Sequence, residues 1–236
     1  MQPHHRILVP IDTPDADRAV ALATQLAGHV GGVKLGKEFF TANGPDGVAR
    51  VTAGGQPLFL DLKWHDIPNT VVGAVRAAAP LKPLMINVHA AGGRAMMEAA
   101  ARANAEANPA GARPILLAVT VLTSLDQDDL AATGVAGSVE DQVLRLAALA
   151  RDAGLDGVVC SPREIAALRA ANGPDFKLVV PGIRPAWAST DDQKRVLGPA
   201  EAVALGADYL VIGRPITGAD DPVAAAKRVR DELEQA

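Results

Sequence analysis

Short apolar runs alternate with alanine-rich amphipathic stretches from one end of the chain to the other. The apolar runs fall at residues 6–12 (RILVPID), 31–36 (GGVKLG), 57–63 (PLFLDLK) and 83–90 (PLMINVHA). They continue at 113–122 (RPILLAVTVL), 157–161 (GVVCS), 177–183 (KLVVPGI) and 209–215 (YLVIGRP). Continuous apolar runs of this length, ending in turn residues, predict strands covered on both faces. Residues 15–30 and 138–154 carry apolar side chains at helical spacing, open on Asp or Ser and close at Gly. Residues 92–107 and 221–236 repeat that spacing, and another helix is predicted near 191–205.

Eight strand-then-helix units in unbroken succession predict a parallel sheet wrapped by helices. Eight also closes a (β/α)8 (TIM) barrel, whose typical length of about 250 residues suits this chain. An open doubly wound sheet is the alternative, but no G-x-G-x-x-G follows the first strand to support it. No Ser- or Gly-rich linker interrupts the pattern, so residues 1–236 are expected to form one barrel domain of the α/β class.

Composition narrows the setting. With 49% of residues hydrophobic the chain can bury one large core. Its net charge of −4 advertises no basic surface for nucleic acid or anionic lipid. Cys160 is the only cysteine, which excludes an internal disulfide and reads as a small core residue. No apolar run approaches the roughly 18 residues of a membrane span, and the first one is too short for a signal-peptide core. His4 and His5 read as a frayed tail rather than metal ligands. The expectation is a cytoplasmic globular protein with neither nucleic acid nor membrane as partner.

Function in such a barrel gathers at the C-terminal strand ends, and the unusual polar residues fall there. Asp12 closes the first strand, Lys34 lies near the end of the second, and Asp61 and Lys63 end the third. Asn87 and His89 lie late in the fourth, with Thr120 and Thr123 at the end of the fifth. Side chains alternate along a strand, so Asp61 and Lys63 should share the barrel mouth while Leu60 and Leu62 face the helices. One Asp–Lys pair would read as a structural ion pair. Four charges at one mouth carry a desolvation cost of several kcal/mol per ion, which points to function. Gly213 and Arg214 follow the eighth strand, and PGIRP (181–185) follows the seventh. Those loops commonly bind phosphate, with glycine admitting backbone N–H groups and arginine offering a planar fork. The polar segment 184–193 between Arg184 and Gln193 is expected to act as a lid over that phosphate. His89 has no acid partner that the sequence can place.

These motifs resemble a known family. DLKWHDIPNT (61–70) matches the D-x-K-x-x-D-I-P-N-T signature of orotidine 5′-phosphate decarboxylases. ILVPID, VKLG, VTVLTS, PGIRP and IGRP follow in the order of that family, so the similarity spans essentially the whole chain. The resemblance implies a homodimeric (β/α)8 barrel that converts orotidine 5′-monophosphate to uridine 5′-monophosphate and carbon dioxide, without metal or organic cofactor. It implies Lys63 as proton donor, Asp61 as the carboxylate facing that of the substrate, and Lys34 as the lysine completing the array. Asp66 would be lent to the array by the partner subunit, with Ile67 and Thr70 alongside. Asp12 would hold the ribose, and Thr123 the pyrimidine, with Thr120 close enough to compete for that role. Pro181, Arg184, Gln193, Gly213 and Arg214 would serve the phosphate side and the lid.

Two rival readings differ in their demands. A Mg-dependent sugar-phosphate decarboxylase or synthase on the same barrel would need a carboxylate on the second strand, where this chain has Lys34. A non-catalytic phosphate-ligand sensor would keep Gly213 and Arg214 but have no use for Lys63 and both aspartates.

Overall fold

The computed structural model describes residues 1–109, 113–188 and 197–234. Eight parallel strands close into a barrel in sequence order: β1 Ile7–Pro10, β2 Gly32–Gly36, β3 Leu58–Trp64, β4 Met85–His89, β5 Ile115–Val119, β6 Gly157–Val159, β7 Lys177–Pro181 and β8 Tyr209–Val211. The expected strands are all present; most are shorter than their apolar runs, whereas β3 runs one residue further, to Trp64. β8 pairs with β1 through Ile7–Leu210 and Leu8–Val211, which removes the sheet edges that an open doubly wound fold would leave.

The helices are α1 Ala16–Gln25, α2 Lys37–Thr52, α3 Pro68–Ala78, α4 Arg94–Ala107, α5 Gln127–Ala132, α6 Val139–Asp152, α7 Ile165–Asn172, α8 Pro199–Ala204, α9 Arg214–Thr217 and α10 Pro222–Glu234. Local chemistry fixes their starts. The Asp15 carboxylate accepts from the Asp17 and Arg18 N–H groups to open α1, and Ser138 and Asp141 form a reciprocal capping box on α6. The helix expected near 191–205 is observed as α8, and residues 189–196 lie outside the described residues.

Strand alternation divides the core in two. Leu8, Phe59, Met85, Leu117, Val179 and Tyr209 fill the barrel interior. The intervening residues, among them Val9, Val33, Leu60, Ile86 and Val180, pack outward against the helices. The interior is therefore plugged with side chains, and only its C-terminal mouth is left for polar chemistry. The N-terminus departs from the frayed tail expected for His4 and His5. Pro3–Arg6 forms a 3-10 turn, and the Arg6 guanidinium donates to the Ala207 and Asp208 carbonyls at 3.2 and 3.1 Å. Among the described residues no helix is long and apolar enough to cross a membrane.

Candidate active site

The mouth is built on β2, β3 and β4. Register sets Lys34 of β2 opposite Pro10 of β1 and Phe59 of β3, and Gly36 opposite Asp61. Lys34 Nζ reaches Asp61 Oδ2 at 3.1 Å and Asp12 Oδ1 at 3.5 Å. Lys63 Nζ lies 2.6 Å from Asp61 Oδ1. Asp12, Lys34, Asp61 and Lys63 thus form a line of alternating charge across the mouth. The space above it is kept open by Gly36, where a Cβ would come within 3.3 Å of Lys34 Nζ and 3.5 Å of Asp12 Oδ1.

Asp61 is the hub and is buried. Burial pushes its carboxyl up, but the Lys34 and Lys63 charges and hydrogen bonds from Lys63 and Asn87 outweigh burial and hold it below the usual carboxylate range. Asp61 is therefore a fixed negative charge with both oxygens engaged.

Simple strand alternation does not account for Lys63. Leu60 pairs with Ile86, yet the next paired residue is Trp64 with Val88, so four residues of β3 advance against two of β4. Within this bulge Lys63 takes φ 50°, a left-handed conformation that costs a non-glycine residue about 1–2 kcal/mol. Asp61 points into the barrel as a regular strand residue, whereas Lys63 reaches the mouth by way of the bulge. Its backbone N–H donates to Asn87 Oδ1 at 2.8 Å, and Asn87 Nδ2 donates to Asp61 Oδ1 at 2.7 Å. Asn87 had no assigned role in the sequence reading. The signal available there was a carboxamide in an otherwise apolar strand interior, and Asn87 is fully buried.

The other expected residues spread around this array. Asp66 stands apart from it within the chain: it is exposed, and its carboxylate accepts from the next N–H, that of Ile67, at 2.6 Å. Ile67 is 66% exposed and Thr70 is also exposed. Pro68 at the start of α3 turns the chain there. Thr120 is buried with its hydroxyl donated to the Val159 carbonyl at 3.1 Å, whereas Thr123 is exposed at the mouth side of β5. Asp12 lines one cavity of about 330 Å³ with Thr13, Arg18, Gly213, Arg214 and Thr217. Close packing forms one wall of it, since a Cβ on Gly213 would lie 3.0 Å from Pro10 Cγ. Pro181 ends β7. Arg184 is buried at the base of the following loop, which Ile183 closes by bridging to Leu197. Gln193 and most of the segment expected to form a lid lie outside the described residues.

Two groups that sequence left unassigned are placed. The His89 ring lies 5.5 Å from that of His65. Burial, then the nearby His65, Lys37 and Lys63 charges, push its pKa down to about 4, against a weaker opposing pull from Asp61. Cys160 is a core residue whose thiol burial pushes well above its ordinary range. Among the described residues no three His, Cys, Asp or Glu side chains are grouped to hold a metal ion.

Residues 5–229 match the model of the family described as orotidine 5′-phosphate decarboxylase / HUMPS. The chain belongs to this family. A relative from Rhodospirillum rubrum named orotidine 5′-phosphate decarboxylase is 62% identical over 230 residues, covering 96% of this chain and 93% of its own. One of the same name from Moorella thermoacetica is 54% identical, covering 99% of this chain and 94% of its own. The crystal structure of orotidine 5′-phosphate decarboxylase from Lactobacillus acidophilus superposes with a TM-score of 0.86 at 39% identity, over 96% of this chain and 98% of that one. The family match and these relatives bear out the resemblance read from DLKWHDIPNT.

Proposed function

We propose that this protein decarboxylates orotidine 5′-monophosphate to uridine 5′-monophosphate and carbon dioxide, as the cofactor-independent lyase step of pyrimidine biosynthesis. The observation that carries the reading is the alternating Asp12–Lys34–Asp61–Lys63 array at the mouth of a barrel of this family. Loss of carbon dioxide from C6 of the pyrimidine leaves an electron pair in the ring plane, where the π-system cannot absorb it. With no cofactor as electron sink, stabilisation must be electrostatic and organised in advance.

Lys63 supplies that stabilisation. Its ammonium faces the developing charge and then delivers the proton to C6, while Asp61 and Lys34 hold it charged and aimed. Asp12 binds the ribose, and Thr123, whose neighbour Thr120 is committed to a backbone carbonyl, contacts the pyrimidine. Gly213 and Arg214 take the phosphate, with Pro181, Arg184 and Gln193 on the same side. Asp66, with Ile67 and Thr70, completes the array of the partner subunit in a homodimer of shared sites; its exposure, with its carboxylate turned to the Ile67 N–H, supports that arrangement. The reaction needs neither metal nor organic cofactor, and the single buried cysteine suits a reducing cytoplasm.

The test is the absorbance loss of orotidine 5′-monophosphate on adding purified protein treated exhaustively with chelator. Turnover at the untreated rate is expected. A rate that chelation abolishes and Mg²⁺ restores would move the protein to the metal-dependent reading.

A further inference from the structure

Asn87 touches both halves of the array through one terminal group. Its carboxamide oxygen accepts from the Lys63 backbone N–H at 2.8 Å, and its NH₂ donates to Asp61 Oδ1 at 2.7 Å. Only this orientation satisfies both neighbours, since the flipped amide would set NH₂ against N–H and oxygen against carboxylate. The side chain is fully buried, and a bulge at Leu60–Trp64 has taken Lys63 out of the regular β3–β4 pairing. Its N–H would otherwise be a donor stranded beside an apolar barrel wall.

We infer that Asn87 is a positioning residue that clamps the β3 bulge, and so sets the distance and direction of the Lys63 ammonium relative to Asp61. Neither hydrogen bond alone would do this. The bond to the Lys63 N–H fixes where that side chain leaves the backbone, and the bond to Asp61 fixes the carboxylate on which Lys63 Nζ rests at 2.6 Å. Three contacts close a ring of Asn87, Asp61 and Lys63, so the ammonium cannot swing without breaking one of them. An aspartate at 87 would keep the acceptor but set a second carboxylate against Asp61. A leucine would keep the shape and lose both bonds.

The catalytic consequence rests on the decarboxylase reading, and the clamp itself does not, so the experiment separates them. Hydrogen exchange at the Lys63 amide is measured by NMR in wild type, Asn87→Leu and Asn87→Asp. Slow exchange in wild type and Asn87→Asp, with rapid exchange in Asn87→Leu, is expected. Equal protection in wild type and Asn87→Leu would overturn the clamp. Steady-state kinetics on orotidine 5′-monophosphate follow at a temperature where circular dichroism shows each variant folded. Asn87→Leu is expected to lose about 10²-fold in kcat with KM within about threefold, the signature of a misaimed group rather than lost binding. In Asn87→Asp the paired carboxylates should move the acid limb of kcat/KM to higher pH, a change that a packing role would not cause. A folded Asn87→Leu with kcat within about threefold of wild type, or an unmoved acid limb, would overturn the positioning role. If Asn87→Leu does not fold, Asn87→Ser, too short to bridge both partners, takes the same measurements. Absence of wild-type turnover would instead reject the decarboxylase reading, leaving the exchange comparison to decide the clamp.

Discussion

Lys63 allows backbone strain and catalysis to be separated at one position. The residue sits at φ 50°, inside the bulge, with its ammonium 2.6 Å from Asp61. Lys63→Ala and Lys63→Gly both delete that ammonium, so the lost ion pair is common to the two and cancels in their difference. What remains is the backbone. Glycine escapes the left-handed penalty of about 1–2 kcal/mol that alanine retains. Against this, the freer unfolded chain of glycine costs about 0.4–1 kcal/mol. The balance favours Lys63→Gly by roughly 0.5–1 kcal/mol, or about 2 °C in Tm for a chain of this size. At an ordinary strand position the sign would reverse, because only the unfolded-state term would remain. Urea unfolding of both variants at one protein concentration, followed by circular dichroism, measures the difference. Both variants should also lose turnover by at least about 10³-fold, because the stabilising charge and the proton leave together. Lys63→Ala equal to or more stable than Lys63→Gly would refute the strained bulge. Activity within about tenfold of wild type in either variant would refute the proton-donor role.

Three further outcomes are expected. His89 is held neutral in the fold, with a pKa near 4 against an ordinary 6.5, so the unfolded chain binds the proton first and stability falls as pH drops from about 6.5 to 4. The full difference would be about 3 kcal/mol, but the ring is only half-buried and solvent screens it. His89→Gln should therefore flatten that limb by about 1–2 kcal/mol in urea titrations; an unchanged limb would place the burial cost elsewhere. Arg214→Ala should sharply weaken use of the nucleotide while sparing any slow reaction of the unphosphorylated nucleoside; equal losses on both would assign Arg214 to the fold or the chemistry. Mixing inactive Lys63→Ala and Asp66→Asn under subunit exchange should restore roughly a quarter of wild-type activity, because half the dimers carry one intact site. No recovery, with exchange verified by mass spectrometry, would sink the shared site.

The fold was legible because barrel strands are covered on both faces and read as continuous apolar runs, while helices such as α1 and α6 keep their own period and side-chain caps. Asp61 and Lys34 were legible for a related reason: alternation carries a side chain to the mouth whenever the strand is regular. Lys63 was assigned to the mouth by the same rule, though its route there is different. The bulge is not marked by a glycine, and it becomes visible only when β3 is set against β4. Asn87 lies 24 residues from one partner and 26 from the other, so its double role is a property of strand pairing rather than of local sequence. The sequence reading of Arg184 as a phosphate-side donor rested on its position in PGIRP. Its burial beside the Ile183–Leu197 bridge is a property of the folded loop that those five residues do not spell out.

The same geometry bears on the metal-dependent chemistry weighed as the rival for this barrel. A divalent cation bound at Asp61 would have to approach one of its carboxylate oxygens. Oδ2 faces Lys34 Nζ at 3.1 Å, and Oδ1 accepts from both Lys63 and Asn87. Binding there would require displacing an ammonium or setting two positive charges against each other within a few ångströms, in a setting where burial weakens solvent screening. A carboxylate on β2 would invert this arrangement by adding an anionic ligand where the cation now stands. The position that separates the two chemistries is therefore Lys34. It helps to hold the Asp61 carboxylate ionised, and its side chain is the more enclosed of the two lysines on that carboxylate, 12% exposed against 26% for Lys63.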